Sequence, residues 1–483
     1  MAGCADHILT IDLGTTSCKV SLFTTDGLLV ASSQAGYPLR SPEPGAAEQD
    51  PADWQAALWQ ALERMAADRP ADMRAVVGIG PTAQMNAVVL LDGVGQALGP
   101  AQSSMDQRAV AHGARLRAEL LQRGLSIYVG RNGTCGRLAW MHDRHPERAA
   151  TCAHVLEARG LMIYWLTGEL AADASIGVRA WDPELVRLVG FTPEKMPPIY
   201  PPWQAAGRLR ADVAKKFGLP AGVPVAVGTG DGACANVAVG AIGPGQGCFT
   251  LGTTGVVRCV LESPLPITET LPTFSFPFME TLWLGGALYP ASACLQWLRA
   301  LLRLPDGPAD DPAWLEPLLP AAAALPPGTE GLIFLPFLFG LGPAGGEIYA
   351  SLRGLRYAHK TEHLLRAMFE GTACAMRSVA DYLESSRYAV RDWRATGGGM
   401  RIALWRQIIA AALGRPLVLT NGDSSLGAAV IGALAAGLYS DLAEAMAGMV
   451  QVQYEETPSA ADVSAYQKVY ADYVANGLPI AGA

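Results

Sequence analysis

A short Gly-Thr turn occurs twice in the sequence, each time between two apolar segments that are typical of strands. The tetrapeptide Leu-Gly-Thr-Thr stands at positions 13–16 and again at 251–254, near the middle of the 483 residues. Glycine lets the backbone approach a phosphate without an intervening Cβ, and the N–H and hydroxyl groups of such a turn bind phosphate oxygens. Two such turns facing each other would hold a polyphosphate; two ordinary hairpins are the alternative. The predicted phosphate contacts are Gly14, Thr15, Thr16, Gly252, Thr253 and Thr254.

Two charged residues adjoin the first turn. Asp12 precedes it and is suited to hold a hydrated Mg²⁺, because this cation favours carboxylate, water and phosphate oxygens. Lys19 follows the turn and is expected near the same phosphates. The sequence therefore predicts that Asp12 contacts a metal ion through water and that Lys19 belongs to the phosphate site.

A third carboxylate stands between two glycines. Asp231 follows the apolar run 225–227, and its neighbours Gly230 and Gly232 leave it accessible. A strand that ends in this way places the carboxylate at the edge of a cleft. There it can accept the proton of a substrate hydroxyl that attacks a γ-phosphate, the role of a catalytic base. A Gly-Asp-Gly turn without chemical function is the alternative.

The elements that must position these residues follow from hydrophobic periodicity, which predicts the same α/β order in both halves of the chain. In the first half, strands are predicted at 7–11, 18–23, 28–37 and 75–80, with a helix at 53–68. In the second half, strands are predicted at 247–250, 256–261, 394–396 and 416–420, with helices at 361–385, 403–413 and 425–436. The segments 41–51 and 305–330 are interpreted as linkers.

Composition excludes several classes of protein. Hydrophobic residues make up 50% and charged residues 17%, which excludes a disordered chain, and the net charge of −8 argues against binding nucleic acid or an anionic membrane. The nine cysteines form no CxxC motif, so reduced thiols in a cytoplasmic protein are expected. The sequence shows no signal-peptide pattern and no good membrane-spanning segment.

In motif order and spacing, the chain resembles the FGGY family of carbohydrate kinases. The likeness rests on 11–17 with Lys19, 230–232, 251–254, the spacing of 350–370, the triple glycine after Thr396, and the helix start at 424–429. It covers essentially the whole chain. The fold that it implies is α/β, with two actin-like (ribonuclease-H-like) domains and a central cleft. These would be an N-terminal sugar-binding domain at 1–245 and a C-terminal nucleotide-binding domain at 246–483.

The resemblance also implies an activity. ATP and Mg²⁺ would be the cofactors, Asp231 the catalytic base, and Gly397, Gly398 and Gly399 contacts on the adenosine side. Within the family, Gln84-Met85-Asn86 is similar to the sugar-contacting Gln-Met-His of xylulose kinases, and Asp106 belongs to the segment that follows it. The implied reaction is phosphorylation of a ketopentose, D-xylulose, to D-xylulose 5-phosphate. The only partners expected are a small sugar and ATP, and a homodimer is left open.

Several positions depart from the family pattern, so the identity of the sugar is less constrained than the reaction. This chain has Asn86 where the family usually has His, and Arg137 where it usually has Lys. The other departures are Ser104 in place of Trp, Gly160 in place of Asp, Gly340-Leu341-Gly342 in place of Gly-Glu-Arg, and Ile402 in place of a small polar residue. The alternatives are a kinase of another ketose or polyol such as ribulose or glycerol, a non-catalytic sugar sensor on the same scaffold, and a filament-forming actin-like ATPase.

Overall fold

The structure, a computed structural model, describes residues 6–123, 133–176, 181–265, 273–279, 281–303, 314–338, 349–386 and 388–477. The chain forms two units. The first comprises Met1–Gly240, Phe276–Trp283 and Asn421–Gln451, and the second comprises Ala241–Ser275, Leu284–Thr420 and Val452–Ala483. The chain therefore returns to the first unit for two segments of its C-terminal half.

The elements up to residue 240 all belong to the first unit. They are β1 His7–Leu13, β2 Ser17–Thr24, β3 Leu29–Gly36, β4 Glu48–Gln49, α1 Pro51–Asp68, α2 Pro70–Arg74, β5 Val76–Ala83, β6 Val88–Leu91, β7 Ala101–Gln102, α3 Val110–Gln122, α4 Thr134–Arg144, α5 Pro146–Thr151, β8 His154–Glu157, α6 Ala158–Thr167, α7 Pro183–Leu188, β9 Ala205–Arg208, α8 Ala211–Phe217, β10 Pro224–Ala226, β11 Thr229–Gly230 and α9 Asp231–Val239.

The remaining elements complete both units, with α14, α15 and residues 276–278 of β14 assigned to the first. They are β12 Gln246–Leu251, β13 Thr254–Leu261, β14 Thr273–Phe278, β15 Leu282–Pro290, α10 Ser292–Leu301, α11 Leu319–Ala324, β16 Ile333–Leu335, β17 Ser351–Arg353, α12 Thr361–Ser385, β18 Asp392–Thr396, α13 Ala403–Leu413, β19 Leu417–Thr420, α14 Ser424–Ala435, α15 Leu442–Met449, β20 Val452–Glu456 and α16 Ala460–Gly477.

The main sheet of the first unit has the strand order β3-β2-β1-β5-β10-β9, with β11 also paired to β5. β1 is antiparallel to β2 and parallel to β5, and β5 is parallel to both β10 and β11. Leu9, Ile11 and Leu13 of β1 are buried against Trp54 and Leu58 of α1. This apolar layer fixes β1, and with it the turn that follows at Gly14.

The main sheet of the second unit repeats this arrangement. Its order is β14-β15-β13-β12-β18-β19-β20, and β12 is antiparallel to β13 but parallel to β18. β18 is parallel to β19, which is antiparallel to β20. The run β13-β12-β18-β19-β20 therefore has the same strand directions as β2-β1-β5-β10-β9. The α/β repeat predicted from the two Gly-Thr turns is confirmed.

The helix α14 packs unusually close to the first sheet. A Cβ at Gly80 of β5 would lie 1.9 Å from the carbonyl oxygen of Ala428, and a Cβ at Gly427 would lie 1.9 Å from the carbonyl oxygen of Cys234 on α9. Real side chains do not fit at such distances, so glycine at both positions lets α14 contact β5 and α9 backbone to backbone. The start of α14 is thereby fixed relative to both elements.

The predicted long elements agree with the structure, and the short ones account for most differences. The helices predicted at 361–385 and 403–413 have those bounds, whereas the strand predicted at 75–80 extends to Ala83. A second sheet in the first unit, β4-β7-β6-β8, was not predicted. Two of its strands are only two residues long, and β4 lies in a segment interpreted as a linker, because such short strands leave no periodic pattern.

Two expectations from composition concern the whole chain. In the ranges that the structure covers, the cysteines are buried and form no disulfide, as expected for reduced thiols. None of the helices in those same ranges combines the length and the apolar character that crossing a bilayer requires.

Candidate active site

Three parallel strands of the first unit end at the same level. The register pairs Asp12 of β1 with Thr82 of β5, and Thr82 with Thr229 of β11. The residues that follow these strands include Gly14, Gln84 and Asp231. Since ligands of open α/β sheets bind beyond the carboxyl ends of the strands, this edge is the candidate site. The structure thus places Asp12, Gln84 and Asp231 at the same edge of the sheet.

The first Gly-Thr turn is held by its own backbone and by Tyr37. The Gly14 N–H donates to the Ser17 carbonyl at 3.0 Å, and the Tyr37 N–H donates to the Thr16 carbonyl at 3.1 Å. The Tyr37 hydroxyl also contacts the Gly14 carbonyl. Within the described residues, no backbone carbonyl accepts the N–H groups of Thr15 and Thr16. These two N–H groups, rather than that of Gly14, are the donors left for a phosphate.

Asp12 is a partly buried carboxylate among other charges. The Ser424 hydroxyl donates to its Oδ2 at 2.9 Å, while Lys19 Nζ lies 2.9 Å from Asp423 Oδ2. Burial raises the pKa of Asp12 to about 6, assisted by the nearby charges of Asp231 and Asp423 and opposed by Lys19 and the Ser424 hydrogen bond. A carboxylate crowded by other carboxylates suits a divalent cation, which would relieve their repulsion.

The donor set indicates how such a cation would be held. Among the described residues, no group of three or more His, Cys, Asp or Glu side chains encloses a possible metal position. A Mg²⁺ ion beside Asp12 would therefore keep water and phosphate oxygens as its other ligands, which is its usual preference. The residues present fit a metal held through water. Lys19, predicted at the phosphates, is paired with Asp423 in this structure.

Asp231 begins a helix instead of standing in a turn. It is the first residue of α9, and its Oδ1 accepts the Gly232 N–H at 2.7 Å. An acidic side chain in the first turn of a helix interacts favourably with the helix dipole. The preceding Gly230 is packed against Met85, since a Cβ there would lie 2.7 Å from Met85 Cγ. Glycine at this position brings the 84–86 turn against the end of β11.

A glutamine pair connects the predicted sugar turn with the phosphate turn. Gln84 donates its backbone N–H to the Leu13 carbonyl at 2.9 Å and its Nε2 to Gln49 Oε1 at 2.7 Å. Gln49 in turn donates its Nε2 to the Thr15 carbonyl at 2.5 Å. Gln84 Oε1 is buried and accepts no hydrogen bond within the described residues. It is an acceptor suited to a hydroxyl donor. Sequence reasoning missed Gln49, because only tertiary contacts bring it here.

Asn86 adopts a left-handed backbone conformation with φ of 63°. Asparagine tolerates this region better than most residues, so conformation alone gives one reason for Asn at this position. The Thr134 hydroxyl lies 3.4 Å from Asn86 Oδ1 and donates to Glu157 Oε1 at 2.5 Å. Burial raises the pKa of Glu157 to about 7, opposed by hydrogen bonds from Thr134 and from the Asn86 backbone. Neither Thr134 nor Glu157 carried a sequence signal.

Asp106 is fully buried, and its carboxylate accepts hydrogen bonds from backbone N–H groups and from Arg108. It accepts the Ala47 N–H at 2.9 Å and the Arg108 N–H at 3.0 Å, and the Arg108 guanidinium lies 2.7 Å from its Oδ2. Arg137, another fully buried residue, contacts the Asp106 carbonyl at 3.5 Å, and burial lowers the pKa of Arg137 to about 10. These contacts organise the 45–48 and 106–108 segments. Direct binding of a substrate by Asp106 stays a prediction.

The second unit brings its own predicted residues together. The Gly252 N–H donates to the Thr254 carbonyl at 3.1 Å, and its carbonyl accepts the Ser292 N–H at the start of α10 at 3.0 Å. Gly397 has a φ of 105°, and a Cβ there would lie 2.6 Å from the Leu251 carbonyl oxygen. Glycine is therefore required where the triple glycine passes over the second Gly-Thr turn. The departures at 340–342 lie outside the described residues.

Valine at Gly14 or Gly252 is expected to raise the Kd for ATP by roughly tenfold or more, about 1.4 kcal/mol, with little change in the Kd for sugar. Both sites have room, because the nearest atom to a Cβ is 3.4 Å away at Gly14 and 3.8 Å away at Gly252. The variants should therefore fold, and the added side chain should obstruct only an incoming phosphate. Isothermal titration of each ligand measures both affinities.

Gly93→Val is the matched control for these two variants, because a Cβ at Gly93 has no atom within 4 Å. It is expected to bind ATP as the parent does. Unchanged ATP affinity in Gly14→Val or Gly252→Val would remove that turn from the site, and equal weakening of ATP and sugar would indicate a general disturbance of the fold.

Comparison with known proteins gives matches along both units. Residues 7–238 match the N-terminal domain of the FGGY family of carbohydrate kinases, and residues 247–436 match its C-terminal domain. A xylulose kinase of Escherichia coli (strain K12) is 30% identical over 476 residues, covering 95% of this chain and 96% of that protein. A gluconokinase of Bacillus subtilis (strain 168) is 27% identical over 477 residues, covering 94% and 92%. The crystal structure of xylulose kinase from Rhodospirillum rubrum has a TM-score of 0.82 and 28% identity, covering 97% of this chain and 98% of that one.

Proposed function

Because the chain belongs to the FGGY family of carbohydrate kinases, we propose that it transfers the γ-phosphate of ATP to a hydroxyl of D-xylulose, forming D-xylulose 5-phosphate. The enzyme class, an ATP-dependent carbohydrate kinase of two α/β domains, follows from the family, and the resemblance inferred from the motifs is confirmed. The choice of sugar is supported by the likeness to xylulose kinases and by the 84–86 turn.

The observation that carries the proposal is the common level of three strand ends in the first unit. It places Asp231 beside the turn that starts at Gln84, with Met85 packed on Gly230. In the proposed reaction, the Asp231 carboxylate accepts the proton of the sugar hydroxyl as the hydroxyl oxygen bonds to the γ-phosphorus. The bond from the γ-phosphorus to the bridging oxygen of ADP breaks in the same displacement. Gln84 Oε1 accepts a further sugar hydroxyl.

The nucleotide would be bound by backbone groups more than by side chains. In the first unit, the N–H groups of Thr15 and Thr16 bind phosphate oxygens. In the second unit, the Gly252–Thr254 turn binds phosphate, and Gly397–Gly399 contacts the adenosine side. Asp12 would hold Mg²⁺ through water, and the metal would supply charge neutralisation at the transferring phosphate. The division into a sugar domain at 1–245 and a nucleotide domain at 246–483 is part of this proposal.

A second candidate is phosphorylation of another polyhydroxy acceptor by the same residues. Asn86 in place of the usual His of xylulose kinases favours it, and so does the comparable likeness to a gluconokinase. The deciding experiment is an ATP-depletion screen across D-xylulose, D-ribulose, D-gluconate and glycerol, with kcat/KM measured for each. The highest kcat/KM on D-xylulose supports the first candidate. A higher value on another acceptor replaces it, and no turnover on any acceptor contradicts both.

Asn86→Ala is expected to lower kcat/KM for the sugar. The corresponding loss of transition-state stabilisation should be about 1–3 kcal/mol, the cost of leaving a buried hydrogen-bonding partner unpaired. The Kd for ATP should change little, because Asn86 adjoins the sugar turn and not the Gly-Thr turn. Asn86→His should change the ratio of kcat/KM values across the ketose panel more than the total rate. Steady-state kinetics on the same panel measures both effects.

Asn86→Gly is the control for backbone conformation, because glycine adopts the left-handed region freely but offers no amide. If Asn86 binds the sugar, Asn86→Gly should lose as much as Asn86→Ala. Recovery of activity in Asn86→Gly would mean that Asn86 is needed only for the left-handed backbone conformation of the turn. The xylulose assignment would then lose its local support.

A further inference from the structure

The geometry points to Ser424 as a positioning residue for the Asp12 carboxylate, a role that rests on the proposed function of Asp12 as the residue that holds Mg²⁺ through water. The Ser424 hydroxyl donates to Asp12 Oδ2 at 2.9 Å. Ser424 lies in the segment Asn421–Gln451, which the chain contributes to the first unit after completing most of the second. The hydrogen bond therefore ties a late segment of the chain to the first strand of the first unit.

The residues around this bond form a cross-strand arrangement of four side chains. Asp12 and Lys19 face each other across β1 and β2. Asp423 pairs with Lys19 at 2.9 Å and caps α14 by accepting the Ser425 N–H at 2.9 Å. Consecutive residues of one helix start therefore contact both members of the strand pair. Asp423 holds the ammonium, and Ser424 holds the carboxylate.

The helix start is placed firmly enough to orient a side chain. The close approaches of Gly80 to Ala428 and of Gly427 to Cys234 fix α14 against β5 and α9. α9 carries Asp231, and β5 lies beside β1, which carries Asp12. One helix thus sets the position of the candidate metal carboxylate relative to the candidate base. A hydrogen bond that orients a metal-ligating carboxylate reduces the freedom that it loses when the metal binds, and the same reasoning applies to a carboxylate that holds metal-bound water.

The chemical consequence is a defined direction for the second carboxylate oxygen. With Oδ2 bonded to Ser424, the carboxylate plane of Asp12 is set, and Oδ1 is the oxygen that would accept a hydrogen bond from metal-bound water. Without the hydroxyl, rotation about the Cβ–Cγ bond is no longer restrained by this contact. Partners of directly ligating side chains typically alter metal affinity by about 10–100-fold when removed. Because Asp12 acts through water, the lower end of this range is expected.

The test is the Mg²⁺ dependence of ADP binding to the full-length protein, followed by isothermal titration. Ser424→Ala is expected to weaken ADP binding by about tenfold when Mg²⁺ is present and to leave ADP binding in EDTA and sugar binding unchanged. Direct Mn²⁺ binding followed by electron paramagnetic resonance should weaken to the same extent. Ser424→Thr, which keeps the hydroxyl, should retain the affinity of the parent.

Ser425→Ala is the matched control, because it removes a buried hydroxyl from the next residue of the helix and leaves the Ser424–Asp12 bond in place. It should bind Mg²⁺ and ADP as the parent does. Equal ADP affinity of Ser424→Ala and the parent in Mg²⁺ would overturn the proposal. So would an equal loss in EDTA, a loss in Ser425→Ala, or failure of Ser424→Thr to retain affinity. A wrong choice of sugar would instead appear in the acceptor screen and would leave these titrations unchanged.

Discussion

Asp231→Asn is expected to lower kcat by about 10²–10⁴-fold, the usual cost of removing a positioned general base. Asparagine keeps the shape of the side chain, and its Oδ1 can still accept the Gly232 N–H that Asp231 accepts at 2.7 Å. The fold and the start of α9 should therefore be preserved, and the Kd values for sugar and ATP should stay within several-fold of the parent. What is lost is the ability to take the proton of the attacking hydroxyl.

Single-turnover phosphate transfer gives the chemical step, and isothermal titration gives the two affinities. A kcat within a factor of a few of the parent would make Asp231 a helix-start residue without a catalytic role. Asp12→Asn is the informative comparison, because the charges of Asp12 and Asp231 interact but Asp12 is proposed to act on the metal. Its loss of activity should be reduced at high Mg²⁺ concentration, whereas that of Asp231→Asn should not.

Much of the candidate site could be predicted because its backbone parts are local in sequence. The Gly14 turn, the Gly252 turn and the glycine-flanked Asp231 each depend on a strand and the few residues after it, which hydrophobic patterning and glycine positions indicate. The long helix 361–385 was predictable for the same reason, since its apolar spacing continues over many turns.

The side chains that complete the site could not be predicted, because tertiary contacts alone bring them there. Gln49 lies in a two-residue strand and contacts Gln84 at 2.7 Å, and Ser424 reaches Asp12 from the far end of the chain. The helix start that contains Ser424 was typical of the family, but no local rule assigns a serine at that position to a distant carboxylate. That Asp231 begins a helix could not be predicted for a related reason, since α9 is packed against α14.

Glu157→Gln is expected to make the protein more stable than the parent above about pH 7 and equally stable near pH 4.5. The pKa of Glu157 in the folded protein is raised from 4.5 to about 7, mainly by burial and also by the nearby Asp173, while Arg159 and the hydrogen bonds from Thr134 and the Asn86 backbone oppose the rise. Below pH 4.5 both the folded and the unfolded chain hold the proton. Between pH 4.5 and 7 only the folded chain holds it, so the contribution of Glu157 to the free energy of unfolding falls as the pH rises.

Glutamine has the shape of the protonated acid and cannot ionise, so the stability difference between Glu157→Gln and the parent should grow from near zero at pH 4.5 to about 3 kcal/mol above pH 7. Urea unfolding of both proteins at pH 5 and pH 8 measures it. Glu169→Gln, which replaces an exposed glutamate, controls for the loss of a carboxylate as such. A difference that does not change with pH, or one in which the parent is the more stable at pH 8, would mean that Glu157 is ionised in the folded protein throughout this range. The carboxylate beneath the Asn86 turn would then be a charged partner in the sugar site, and Glu157→Gln would be expected to weaken sugar binding.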